Sequence, residues 1–429
     1  MADETKEVYR AAFTSAPASH LAGIPTDALT LPSPSVAYGA PFTESCARHV
    51  KDTFHSSRVY IIASGSLSRN TDELDQLVSA IGPERVAGVR KGITPHTPWS
   101  EILQATMEAQ TLNADCVVTL GAGSITDCAK IVVLAMANNI QTLDELARYS
   151  VESTNPPKTV HEPTIPLITI PTTLSGGEYF SLAGGTDPRT QHKQAFLHSG
   201  MGARLVILSP QLSLHTPEYH WLSTGIRSVD HCIEALCSLA STPESDDKAS
   251  AGLRLLVPGL LKTKQDPTDV VARHHCQMGV MLAMDNIRSG VPMGGSHAIG
   301  HQLGPLGVAH GVTSCVLCPA VMRYNWDYGG EGSRIREKQE RVVDILWAED
   351  MVAETLEKAG KKRGSDVLGE LLDVIIRVLG LPRSLTEVGV KEDVLPALSK
   401  RALDDFWAAT NPVPLVEAAQ VLEILHAAL

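Results

Sequence analysis

Residues 116–130 read CVVTLGAGSITDCAK. Cys116–Leu120 is a short run rich in β-branched residues that ends at a glycine, the pattern of a buried strand. Gly121–Ser124 then turn the chain, and the spacing predicts a helix over about 124–138. Free N–H groups at a helix start, with glycines that let a ligand approach the backbone, suit a pyrophosphate. A tight strand-to-helix turn also needs glycine for its own sake. GAGS does not match the GxGxxG dinucleotide fingerprint, so both readings stand at this point.

The same alternation extends outward from this stretch. Upstream, RVYIIASGS (Arg58–Ser66) reads as a buried strand closing in a Ser64-Gly65-Ser66 turn. A helix is expected over 71–81, with Asn70 and Thr71 as caps. A short strand RVAGV, a loop holding His96 and Pro98, and a helix over 99–112 follow. Downstream, PLITIPTTLSGGEYF (Pro166–Phe180) is a strand running into hydroxyls at Thr172, Thr173 and Ser175, and RLVILSP (Arg204–Pro210) is the last strand. Strands alternating with helices imply a parallel sheet covered on both faces, with ligands at the carboxyl ends of the strands. GAGS and PTTLS then form two walls of one cofactor cleft.

After Pro210 the pattern changes to amphipathic helices. The expected organisation is an N-terminal arm over 1–35, an α/β domain over 36–210 and an all-helical domain over 211–429, with the active site in the cleft between them. Gly330–Glu340 is charged and reads as a loop leading into a helix. Within the helical part, GVPMGGSHAIGHQLGPLGVAHG (Gly290–Gly311) sets His297, His301 and His310 among seven glycines. His297 and His301 lie one turn apart on one helix face. Such a set can hold a divalent metal or supply proton donors.

Composition narrows the class. The 429-residue chain has 43% hydrophobic and 20% charged residues, ordinary for a globular protein. A net charge of −12 argues against nucleic acid and anionic membrane surfaces as partners. No apolar run reaches spanning length, and the acidic start MADETKEVYRAAF does not resemble a secretory signal. Eight scattered cysteines read as buried thiols of a reducing, cytoplasmic compartment. Cys315 and Cys318 form a lone CxxC inside a strand-like apolar run and read as core.

Three motifs in order resemble one family. GAGSITDCAK is similar to the GGGS-x-x-D-x-AK loop of the iron-containing alcohol dehydrogenases, PTTLSGGE to their PTT-x-x-x-GSE segment, and SHAIGHQLGPLGVAHG to their histidine signature. Within that superfamily HAIGHQLG, LGVAHG and STGIRSVDHCIEAL (Ser223–Leu236) resemble the maleylacetate reductases. The resemblance implies a Rossmann-like N-terminal domain and a helical C-terminal domain in a dehydroquinate synthase-like fold. It also implies NADPH or NADH as cofactor, a small-molecule carbonyl substrate and a homodimer. It assigns the cofactor to Ser64, Gly121, Gly123, Ser124, Asp127, Thr172, Thr173, Ser175 and Lys193. It marks His301 as the proton donor nearest the nicotinamide.

Metal-dependent members carry an Asp four residues before a His on one helix. Here the His is His231 and the Asp position is Arg227, while the remaining ligand positions match His297 and His310. Asp230, adjacent to His231, projects about 100° around the helix. A guanidinium repels a divalent ion and is suited to a carboxylate. An ion pair of Arg227 with Asp230 or Glu234 is the structural alternative. Arg227, His231, His297, His301 and His310 are therefore the catalytic candidates, with His231, His297 and His310 the only set left for a metal, which the resemblance does not require. Asp127 stands where maleylacetate reductases often have Gly, and Gly177 where the family has Ser, so the resemblance is that of a divergent member. The Ser64–Ser66 turn lacks the acidic residue that holds a ribose 2′-hydroxyl, and Arg69 can reach a 2′-phosphate, which favours NADPH or dual use. The expected activity is hydride transfer to a ketone or enone of an anionic substrate such as maleylacetate. A redox-neutral dehydratase, isomerase or cyclase using the same cleft is the alternative, and a non-catalytic binding protein a third reading.

Overall fold

The computed structural model describes residues 7–12, 20–21, 24–25 and 32–429. Two compact units divide between His215 and Thr216. Most of the expected arm lies outside the described residues, but Val8–Arg10 (β1) is a strand that pairs antiparallel with Ser35–Tyr38 (β4). Between them, His20–Leu21 (β2) and Ile24–Pro25 (β3) form a short antiparallel ribbon grouped with the second unit.

The first unit is built on Val59–Ala63 (β5), Val86–Lys91 (β6), Cys116–Gly121 (β7), Leu167–Pro171 (β8) and, after Leu182–Asp187 (β9) and His192–Leu197 (β10), Leu205–Ile207 (β11). The seven-stranded sheet has the order β1-β4-β11-β8-β7-β5-β6, and every pairing except β1 with β4 is parallel. All residues of β5, β7 and β8 are buried, as a sheet covered on both faces requires. Ile61, Ile62 and Val118 are fully buried, and each such side chain stabilises the fold by roughly 1.5–3 kcal/mol at most. The expected parallel sheet is therefore present, and its central strands end together at Ala63, Gly121 and Pro171.

Two local expectations need correction. The helix expected over 71–81 begins at Glu73 with Asp72 as its N-cap, and a separate helix, Gly65–Asn70, precedes it. Thr71 is the C-cap of that first helix, because its hydroxyl donates back to Leu67 O at 2.8 Å. The β9–β10 hairpin was not expected at all.

The second unit is helical. Glu218–Cys237 packs against Pro243–Gln265, Val270–Arg288 and His310–Tyr328. The histidine stretch forms the Gly295–Leu303 helix, a turn at Gly304–Leu306, and the start of His310–Tyr328. Cys315 and Cys318 lie inside this last helix rather than on a strand, and all eight cysteines are buried and free. A side chain at Gly311 would place its Cβ 2.9 Å from the Ser223 carbonyl, so only glycine lets the two helices approach here. The Gly330–Glu340 segment enters a helix at Arg334. Among the described residues no helix is long and apolar enough to cross a membrane.

Candidate active site

In the first unit the strand ends are stitched together. Ser64 N donates to Leu120 O at 2.8 Å and Thr172 N to Gly121 O at 3.1 Å. A Cβ on Gly121 would lie 3.1 Å from both Ser64 Cβ and Ile125 Cγ1, and one on Gly123 would lie 3.3 Å from Ser175 Oγ. The missing side chains leave a cradle at the start of the Gly123–Ala137 helix, where free N–H groups and the helix dipole favour an anion. Ser64, Gly121, Gly123, Ser124, Thr173 and Ser175 thus share one edge, with the Thr173 and Ser175 hydroxyls 3.3 Å apart. Thr172 is buried at the strand end.

Asp127 lies 3.7 Å from the Nζ of Lys130, a residue that sequence reasoning left unassigned. Lys130 is fully buried and donates to Leu182 O at 2.6 Å. Burial pushes its pKa down, opposed by Asp127 and the buried Glu178. Lys193 is exposed on β10, its stem lying over Gly184.

In the second unit, Arg227, Asp230, His231 and Glu234 rise from one helix. Glu234 anchors the start of the Gly295–Leu303 helix. Its Oε2 accepts from Gly294 N at 2.9 Å and its Oε1 from Ser296 N at 2.8 Å, while Asn411 Oδ1 accepts from Gly295 N at 3.0 Å. Three N–H groups that a helix start leaves open are satisfied this way. Glu234 Oε2 also lies 2.7 Å from His297 Nδ1. Asp230 Oδ2 accepts from Ser296 Oγ at 2.7 Å and lies 3.6 Å from His297 Nδ1.

The His231 and His297 rings stack with centroids 4.7 Å apart, and His231 Nδ1 and His297 Nε2 are buried without hydrogen-bond partners. His301 stacks on the exposed His310 at 5.5 Å. Trp407 meets His297 edge-on at 5.6 Å and His301 at 5.4 Å. Arg227 is buried, and its Nη1 donates to Ser314 Oγ at 3.2 Å. It makes no salt bridge to Asp230 or Glu234, although both carboxylates, with Asp405, pull its pKa back up against the lowering effect of burial.

The iron-containing alcohol dehydrogenase model matches residues 35–210, and the model of the C-terminal part of the Fe-containing alcohol dehydrogenase family matches residues 221–429. The dehydrogenase ALT3 of Alternaria alternata is 39% identical over 391 residues, covering 87% of this chain and 99% of its own. The chain belongs to the iron-containing alcohol dehydrogenase family. A maleylacetate reductase of Burkholderia cepacia is 26% identical over 83% of this chain and 87% of its own. The crystal structure of maleylacetate reductase from Rhizobium sp. strain MTP-10005 superposes with a TM-score of 0.70 at 24% identity, covering 92% of this chain and 95% of that one, and confirms the fold. The chain is accordingly an oxidoreductase of the alcohol dehydrogenase and maleylacetate reductase type, and members of its family use a nicotinamide cofactor.

Against the family's ligand positions, the structure groups the residues differently. Among the described residues, the ligand-type groups that converge to within 4.8 Å are Asp230, Glu234 and His297, and that set does not include His231 or His310. Asp230 was expected to point away from the site. It faces His297 because the Gly295–Leu303 helix start packs over the Asp230/Glu234 side of the helix. Glu234, as the centre of this group, Asp405 and Trp407 were missed.

Burial pushes the Asp230 and Glu234 carboxyls up to about 7, with the Glu234 charge adding to the shift of Asp230 and with backbone N–H groups and Arg227 opposing the shift of Glu234. Burial also holds His231 and His297 well below the ordinary histidine range, with Arg227 and neighbouring histidines adding to the effect. Near neutrality the two carboxyls titrate as a pair beside a permanent cation.

A carboxyl whose folded pKa is raised contributes stability that is complete below its ordinary 3.8 and is lost as pH rises through about 7. Asp230→Asn keeps an oxygen acceptor but cannot ionise. Its melting temperature relative to the parent protein is therefore expected to climb between pH 5 and pH 8. A difference that stays constant across that range in thermal melts would show that Asp230 carries no such penalty.

Proposed function

We propose that this oxidoreductase reduces the carbonyl group of a small carboxylate-bearing substrate of the maleylacetate kind, drawing hydride from NADPH and using no metal. The observation that carries the reading is Arg227, a buried guanidinium with one side-chain acceptor, Ser314, set beside unpartnered ring nitrogens of His231 and His297. A guanidinium has five donors in a planar fork and stays charged even when buried. The donors not used by Ser314 suit a substrate carboxylate, and the two bare ring nitrogens suit polar groups of the same ligand.

Asp230, Glu234 and His297 bring ligand-type atoms within 4.8 Å of one another, and Asp230 Oδ1 is buried without a hydrogen-bond partner, so the case against a divalent ion rests on bonds already made and on charge. Glu234 already accepts from Gly294 N and Ser296 N and lies 2.7 Å from His297 Nδ1, and Asp230 Oδ2 accepts from Ser296 Oγ. These groups bind one another, and Arg227 adds a positive charge where the family places an acidic ligand. Reduction here therefore rests on protein groups: Arg227 holds the carboxylate, the histidines stabilise the developing oxyanion, and His301 delivers the proton.

The glycine cradle fits the pyrophosphate of a nicotinamide dinucleotide, which when bound supplies the hydride. Arg69 supports the choice of NADPH. A Cβ on Gly65 would lie 3.1 Å from Arg69 Nη1, so the guanidinium lies over the turn at the end of β5, where no acidic side chain would repel a 2′-phosphate. Arg69→Ala is expected to weaken NADPH binding about tenfold, or ~1.4 kcal/mol, and to leave NADH binding unchanged in fluorescence titrations. Equal loss for both cofactors would remove Arg69 from the 2′-phosphate site.

The overall reading is tested by incubating chelator-treated protein with maleylacetate and NADPH. NADP⁺ formed in proportion to reduced product supports it. Product without cofactor oxidation would move the protein to redox-neutral chemistry, and activity that returns only with added iron or zinc would overturn metal independence.

A further inference from the structure

The segment around Asp405 belongs to none of the motifs read from the sequence, yet it brings two groups to the histidine cluster. Asp405 is the N-cap of the Phe406–Thr410 helix, with Oδ1 accepting from Trp407 N at 3.0 Å. Its second oxygen, Oδ2, lies 2.8 Å from His301 Nδ1. An ionised carboxylate only accepts, so Nδ1 carries the proton and Nε2 faces away from Asp405. The ring is also held on its faces by His310 at 5.5 Å and Trp407 at 5.4 Å.

We propose that Asp405 is the positioning residue for His301, fixing its ring so that Nε2 is the nitrogen that gives up the proton. The proposal rests on the reading of His301 as proton donor. As hydride reaches the carbonyl carbon, the Nε2–H bond of the imidazolium breaks and an O–H bond forms on the former carbonyl oxygen. The neutral ring keeps its Nδ1 proton against Asp405 and regains the other from solvent, to which the His301 side chain is 31% exposed. A carboxylate at Nδ1 stabilises the charged ring before transfer and holds one tautomer afterwards, a role carboxylates play behind histidines in other hydrolytic and redox sites.

Two variants separate this role from helix capping. Asp405→Ser keeps an oxygen to cap Trp407 N but has nothing to hold Nδ1. Asp405→Asn keeps the cap and can turn its amide N–H₂ toward Nδ1, imposing the opposite tautomer. The probe is the full-length protein labelled with ¹⁵N-histidine, with the His301 signals identified by their loss in His301→Gln. The parent protein should show a protonated Nδ1 and a bare Nε2 in its neutral ring, Asp405→Asn the reverse, and Asp405→Ser a mixture. With maleylacetate and NADPH, Asp405→Asn should lower kcat about a hundredfold with KM little changed, and Asp405→Glu should recover part of it.

Unchanged nitrogen signals in both Asp405 variants would overturn the proposal, whatever the activity. A slow His301→Gln beside a fully active Asp405→Asn would also overturn it while leaving His301 as the donor. A fully active His301→Gln would instead remove the proton-donor reading itself.

Discussion

Replacing Arg227 with Met is expected to lower kcat/KM for maleylacetate by about two to three and a half orders of magnitude, with most of the loss in KM, while the protein stays folded. Breaking one side of a buried, hydrogen-bonded charge pair costs about 3–5 kcal/mol, and each 1.4 kcal/mol is a decade. The carboxylate of the substrate is the partner that would be stranded. The folded protein escapes that penalty. Arg227 donates to a neutral hydroxyl, Ser314, and the nearest carboxyls, already raised to about 7, can take up a proton when the cation is gone. Methionine also fills much of the same volume. The discriminating control is a small ketone without a carboxylate. Its kcat/KM should change little in the Arg227→Met protein. A parallel loss for both substrates would show that Arg227 acts on the carbonyl oxygen or on packing, and would remove the carboxylate from the substrate description.

What the sequence disclosed and what it hid follow from how far each contact reaches along the chain. The strands at Val59–Ala63 and Cys116–Gly121 were legible because strands buried on both faces write their burial as continuous apolar runs. The glycine cradle was legible because it is local: strand end, turn and helix start occupy nine residues of chain. The β9–β10 hairpin left no such mark. Gly184 and Gly185 sit mid-strand, and a Cβ at Gly185 would come within 3.0 Å of Trp99 and Ile102, so close packing selected glycine where strand propensity would not. In the helical unit, His297 and His301 were visible as a spaced pair on one helix. Their partners were not. Glu234 is 63 residues from His297 and Asp405 is 104 residues from His301, and no periodicity links positions that far apart. Asp230 shows the same limit from the other side. Helix phase sets it about 100° around from His231, but which neighbour covers that face is settled only by the fold.

His301→Gln is expected to lower kcat by about two to three orders of magnitude, within the 10²–10⁴ range of a positioned acid, with NADPH affinity unchanged. Glutamine is the sharper choice over alanine. Its amide can still donate to Asp405 Oδ2 and its side chain partly fills the space between His310 and Trp407, so the carboxylate is not stranded and the helix keeps its contacts. What glutamine cannot do is lose a proton at neutral pH. The effect should therefore fall on the step that forms the O–H bond, and two measurements locate it. The solvent deuterium isotope effect on kcat should rise in the variant, because proton delivery by water becomes limiting. Single-turnover oxidation of NADPH should slow to the same extent as kcat, because hydride cannot leave for a carbonyl whose oxygen is not being neutralised. A variant that keeps fast single-turnover oxidation but turns over slowly would assign His301 to product release, and one that matches the parent in both would transfer the proton to another member of the cluster. His310, stacked on His301 and exposed, is the residue that the second outcome would select.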